Sequence, residues 1–215
     1  MNTEKGRIRM KKVVASLLCI ALCFCLLGSA AAQTVSFGRD QYMPLQWQVL
    51  KSTNEYTKLL SVDCIACRPF GSSSDWATSS LRSWLNYEYL YDAFSYEERN
   101  AMCYVEGDLI RLPSVWDMTN PEYGFASSTE AQDRSRSAGG NAAAINQGLW
   151  LSDRGYCSYY TLTPCDRTSV YQIRSTGNVG VARTDRENVG VRLVIVVRTD
   201  ALRMGGGSGQ VSPFF

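Results

Sequence analysis

Cys64, Cys67, Cys103, Cys157 and Cys165 are the most reactive side chains in the body of this 215-residue sequence, and histidine is absent throughout. Without imidazole there is no His-dependent triad, no His metal site and no side chain whose ordinary pKa lies near neutrality. Cys64-Ile65-Ala66-Cys67 has the C-x-x-C spacing of a thiol oxidoreductase redox pair. In those enzymes a helix N-terminus lowers the pKa of the first thiol. Here the pair ends a strand pattern, Pro69 follows, and no helix pattern begins until about residue 79, which favours a structural role. Cys157 and Cys165 could instead close a loop holding Tyr156, Tyr159 and Tyr160 as a disulfide. Eight residues apart, they match only loosely the second pair of a four-cysteine zinc site. An odd number of cysteines leaves at least one thiol free or intermolecular.

The remaining chemistry is sparse. Beyond the N-terminal segment the only lysines are Lys51 and Lys58, and no phosphate-binding loop, nucleophile elbow or dinucleotide fingerprint occurs. Carboxylate pairs such as Glu97 and Glu98 have the look of surface acids, not of a spaced glycosidase pair. Calcium is the one cofactor the oxygen-rich turns could hold, at Asp117, Asn120 and Glu122 or at Asp185, Glu187 and Asn188. Neither cluster follows an EF-hand pattern or contains Glu-Pro-Asn, and solvated turns are the simpler reading.

Positioning elements can be read from periodicity. Leu45, Trp47 and Val49 alternate with Gln46 and Gln48, the pattern of a half-buried strand, and a second strand over 58–65 completes an antiparallel hairpin. Ser and Thr at 78–80 precede Leu81, Trp84, Leu85 and Tyr89 at helical spacing, which predicts a helix over about 79–90. Glu88 falls inside that apolar arc, so the helix is expected to end or expose an edge there. Ser95 followed by Glu98 is a capping box for a second helix, about 96–104. Residues 108–112 read as a short strand. Residues 113–147 read as long loops with one short helix near Ala142, a segment suited to a binding surface. Strands follow at 170–174, 179–183 and 191–198, the last nearly all β-branched and expected to be covered on both faces.

The sum is an α+β fold, a twisted antiparallel sheet with two consecutive helices packed on it and long irregular loops. Trp47, Leu81, Trp84, Leu85, Phe94, Trp150, Val194 and Val196 form its expected core. The central expectation is that the ridge 81–94 lies under the valine-rich last strand.

At the N-terminus, Lys5, Arg7, Arg9, Lys11 and Lys12 precede an uncharged run from Val13 to Leu27 and then Ala30-Ala31-Ala32, the order of a secretory signal peptide cleaved after Ala32. The alternative is an uncleaved membrane anchor over residues 13–32, since a bilayer span needs roughly 20 apolar residues. Cleavage removes five of the 22 basic and one of the 20 acidic residues, leaving a formal charge of −2. A near-neutral chain without a basic run argues against nucleic acid as partner. Residues 33–203 are then long enough for one domain. Residues 204–215, rich in glycine, have the composition of a flexible tail.

The blocks PLQWQVL (44–50), DWATSSLRSWLNYEYLYDAFSYEE (75–98), LWLSDRG (149–155) and VGVRLVIVV (189–197) resemble the bacterial extracytoplasmic domain of unknown function DUF6273. Its pattern runs W-x-V-L, S/T-x-L-R-x-W-L-N, A-F-S-x-x-E, W-L-R-S and G-V-R-P. The chain departs from it at Leu151-Ser152-Asp153 and at Leu193. The resemblance implies a compact domain with late strands like those of C-type-lectin-like and formylglycine-generating-enzyme-like folds, and it implies no catalytic residue.

These observations together point to an exported, non-enzymatic module that binds a glycan or protein of the envelope or medium through its middle loops and exposed aromatic rings. The alternatives are an exported enzyme, either a thiol-disulfide oxidoreductase using Cys64 and Cys67 or a carboxylate hydrolase, and a structural or assembly domain.

Overall fold

The computed structural model describes residues 34–40, 43–123 and 157–204. All belong to one compact unit within Thr34–Phe215. The leader, Trp150, the helix expected near Ala142 and nearly all of the tail therefore lie outside the described residues. Among the described residues no helix is long and apolar enough to cross a membrane.

The fold is α+β, built on two sheets. In the first, β1 (Thr34–Asp40), β2 (Met43–Ser52), β3 (Tyr56–Ser61) and β9 (Val194–Arg198) lie in that order, every neighbour antiparallel. In the second, β4 (Ala66–Cys67), β8 (Gly190–Val191), β5 (Tyr159–Asp166), β6 (Ser169–Ile173) and β7 (Val179–Arg183) lie in that order. Its pairs are antiparallel except β5 with β8, which meet in parallel at Tyr159 and Gly190.

The β2–β3 hairpin expected from alternation is present, with Trp47 opposite Ser61. Leu45 and Trp47 are buried, but a bulge between Val49 and Lys51 turns Leu50 inward and leaves Val49 half-buried. Trp47 donates its indole N–H to the Phe37 carbonyl at 2.6 Å, so the largest core side chain leaves no polar atom unpaired.

The first helix, α1, runs as Ser80–Trp84 in α form, Leu85–Tyr89 in π form and Leu90–Ala93 in α form. Ser79 caps it by accepting from the Arg82 amide. Of the two outcomes expected at Glu88, the helix shows the exposed edge and not the end, because a π turn carries it on to Ala93. One wider turn shifts the phase, so Glu88 points to solvent while Tyr89, Leu90 and Ala93 are buried.

The second helix, α2, is Tyr96–Ala101 and carries the expected Ser95–Glu98 capping box. It stops short of residue 104 because Met102 leaves to bridge Val197 and the Cys103 amide donates to the Val196 carbonyl. The Glu98 carboxylate also accepts from the Gly38 amide, which fastens α2 to β1. Two short helices went unread in the sequence, α3 (Val115–Thr119) and α4 (Thr199–Met204).

The β-branched run expected as one strand over 191–198 is two, because the chain passes between sheets at Arg192. Ser61 fixes that crossing: its hydroxyl accepts from the Leu193 amide and its carbonyl accepts from Arg192 Nε at 2.6 Å. Residues 108–112 form no strand, only isolated bridges from Asp108 to Val105, around a tight turn at Glu106 and Gly107 with positive φ, and from Arg111 to Val194. Conversely, 159–166, read as a loop, is strand β5.

Leu81, Leu85 and Phe94 share one buried cluster with Trp47, Val191, Leu193, Ile195 and Val197, so the helical ridge does lie against the last strands. Trp84 and Val196, both expected in the core, are half-buried: Trp84 is covered by the Arg68 guanidinium at 4.3 Å, and Val196 lines a cavity. Val194 is buried in a second cluster with Leu50, Leu60, Cys64, Cys157 and Tyr159.

Candidate functional site

A cavity of about 290 Å³ opens between α3, the 105–112 segment and the strands β3, β5 and β9. Its floor is apolar, made by Leu109, Leu112, Leu162, Val194 and Val196. Around that floor stand Lys58, Glu106, Asp108, Arg111, Ser114 and Asp117. Trp116 forms the rim and is 62% exposed, a large ring that the fold leaves in solvent.

Local sequence explains how α3 presents these groups. Ser114 and Asp117 form a capping box, the Asp117 carboxylate accepting from the Ser114 amide at 2.9 Å and the Ser114 hydroxyl accepting from the Asp117 amide at 3.0 Å. The box fixes the entry of α3, and the Val115 amide donates to Thr163 Oγ1 on β5. Trp116 then points outward and meets the Tyr123 ring edge-on, centroids 5.6 Å apart. Lys58 pairs with Asp117 and lies 5.4 Å over the same Tyr123 ring. Burial, with Asp117 adding to it, raises the Tyr123 phenol above its ordinary value.

The opposite wall hangs on α1. Asn86 Oδ1 accepts from the amides of Leu109 and Ile110, both at 3.1 Å, while its Nδ2 donates to the Ile110 carbonyl at 2.9 Å. One turn earlier, Arg82 reaches Asp108, which is 2% exposed and also accepts from the Trp76 indole at 2.8 Å. The Asp108 hydrogen bond is the main reason the Arg82 guanidinium is held above its ordinary value. Arg82 and Asn86, spaced one turn apart on α1, thus hold the segment that carries Leu109, Arg111 and Leu112.

Charges in the cavity are matched in pairs: Lys58 with Asp117, Arg82 with Asp108, Arg111 with Glu106 at 2.5 Å. Each of these carboxylates thus already faces a cation. Arg111 Nε is buried without a hydrogen-bond partner among the described residues.

The cysteines are not arranged as their spacing suggested. Cys67 is in β4 and Cys64 precedes it in a loop, so neither sits at a helix N-terminus. Burial pushes the Cys67 thiol up to about 12, the opposite of an activated nucleophile. The structure also corrects the Cys157–Cys165 pairing. Cys165 is exposed within β5 and Cys157 is buried just before it; eight residues of strand span roughly 25 Å, far beyond the roughly 4 to 7 Å between Cα atoms that a disulfide allows. Cys157 lies instead against Cys64, their Sγ atoms 3.3 Å apart.

At the proposed calcium positions, Asp117, Asn120 and Asp185 already have partners. Asp117 serves Lys58 and Ser114, Asn120 Oδ1 accepts from the Glu122 amide, and Asp185 pairs with Arg183 at 2.6 Å. Among the described residues no three Cys, Asp or Glu side chains converge as a metal site.

Sequence reading missed Lys58, Arg111 and Trp116 as site residues. The Ser114-x-x-Asp117 box was a usable signal for α3, whereas the meeting of Lys58 with Asp117 across 59 positions had none. No family model, curated protein or solved structure matches this chain.

Proposed function

We propose that this chain is an extracytoplasmic, non-catalytic binding module that takes a neutral saccharide in the cleft beside Trp116. The observation that carries the reading is the joining of an exposed indole face to an apolar floor ringed by ion pairs that already neutralise one another. A charged ligand would have to displace one member of a pair, whereas a polyhydroxyl ligand can hydrogen-bond to both members and lay its C–H face on the indole. The volume suits one or two sugar rings, near the lower end of the range for small-ligand sites. The resemblance to an extracytoplasmic domain family and the leader-like N-terminus support a ligand of the envelope or the medium.

The test is a screen of neutral oligosaccharides against the purified protein by calorimetry, repeated with Trp116→Ala. Affinity should fall about tenfold or more, equivalent to ~1.4 kcal/mol. Stability should change by less than about 0.5 kcal/mol, since the ring is mostly in solvent. Binding of a peptide, lost in the same variant, would replace the saccharide by a protein segment. Equal affinity in both proteins would remove the cleft from the account.

A further inference from the structure

We propose that Cys64 and Cys157 are a disulfide-forming pair that staples the β3–β4 connection to the leading end of β5. Their Sγ atoms lie 3.3 Å apart in a buried pocket, with 93 positions of chain between them. The backbone opposite is cut away for the pair: a Cβ on Gly190 would stand 2.7 Å from the Cys64 sulfur and 3.0 Å from that of Cys157. A side chain of any kind there would drive the sulfurs apart or push β8 away.

Arg192 is fully buried; its Nη1 donates to the Tyr159 hydroxyl at 3.3 Å, and its charge favours thiolate on both cysteines. Whichever sulfur ionises receives the other's S–H. The hydrogen bond from Cys64, then Arg192, hold Cys157 below its ordinary value against burial, while Cys64 is raised.

The oxidant is a disulfide, of a small thiol or of an exchange protein. One of the two cysteines, as thiolate, attacks one of its sulfurs, breaking that S–S bond and releasing the first thiol. The other, losing its proton, attacks the resulting mixed disulfide, forms the Cys64–Cys157 bond and releases the second thiol. Two cysteines lose two electrons and two protons, and the oxidant gains both as two thiols. Because both sulfurs are buried in the folded chain, exchange precedes the docking of residues 157–159 against β8. Cys67 and Cys165 stay reduced.

The full chain is refolded with glutathione disulfide, alkylated under denaturing conditions and mapped by mass spectrometry without reduction. A crosslinked peptide joining Cys64 to Cys157 is expected, with Cys165 alkylated. Recovery of Cys64 and Cys157 both alkylated, or a Cys157–Cys165 or Cys64–Cys67 crosslink, overturns the proposal. Closing so long a loop should raise Tm by on the order of 10 °C over the reduced protein. Cys157→Ser should abolish that sensitivity to reductant. Should the variant fail to fold, Cys64→Ala gives the same comparison, and the wild-type map decides without either.

Discussion

Replacing Asn86 by alanine removes the clamp that holds one wall of the cleft, and its cost can be worked out bond by bond. Asn86 makes four hydrogen bonds, to the Leu109 amide, the Ile110 amide, the Ile110 carbonyl and the Arg82 carbonyl. Ile110 is fully buried and Leu109 nearly so, so their backbone groups have no water to turn to. Two orphaned amides and a carbonyl at about 1 kcal/mol or more each sum to ~3 kcal/mol. Alanine returns ~0.5 kcal/mol of helix propensity, leaving a net loss of ~2.5 kcal/mol. With a urea m-value of about 2 kcal/mol/M, the unfolding midpoint should fall by about 1.2 M. Tyr87→Ala, one residue on but 70% exposed, is the control and should shift by less than about 0.3 M. The Asn86 variant should also lose ligand affinity, because Leu109, Arg111 and Leu112 hang from its bonds. A midpoint within about 0.3 M of wild type would refute the claim that this side chain organises the wall.

Gly190→Ala should destabilise the protein by about 1–3 kcal/mol, because its methyl meets both sulfurs; a thermal melt superposing on wild type would contradict the packing. Alkaline pH should unfold the chain through its buried phenols. Burial, opposed by Arg192, pushes Tyr159 up to about 12, and burial raises Tyr89 and Tyr160 as well. A raised folded pKa means that the stabilisation is complete below the unfolded value of about 10 and is lost as pH rises through 12. Tyr159 alone should cost ~1.4 kcal/mol by pH 11, read as a falling urea midpoint between pH 8 and 11. A flat midpoint over that range would show the ring to be solvated.

Local patterns were legible where one face decides the element. Alternation around Trp47 gave the hairpin, and Ser95 with Glu98 gave the start of α2, because both are satisfied within a few residues. The π turn of α1 was hidden, since only packing against the sheet reveals that Glu88 must be pushed outward while Tyr89 and Leu90 both stay in. Strand β5 was hidden too: Thr161-Leu162-Thr163-Pro164 reads as polar and broken, and its pairing with β6 is bulged on both sides of Pro164. That missed strand is why Cys157 seemed to belong with Cys165 and not with Cys64, 93 positions away. The cleft has the same character. Its rim, Trp116, stood in a segment read as a binding loop, but its walls come from β3, the 105–112 segment, β5 and β9, and no spacing in the sequence brings Lys58 to Asp117.

The most direct measurement is an amide and indole NMR titration of the full chain with the tightest neutral oligosaccharide from the screen. Shifts centred on the Trp116 indole and the amides of Ser114, Arg111 and Leu162 are expected, with the exposed Tyr87, Tyr91 and Tyr96 unmoved. Shifts centred on those tyrosines, or saturation binding that leaves the Trp116 indole unchanged, would contradict the assignment of the cleft.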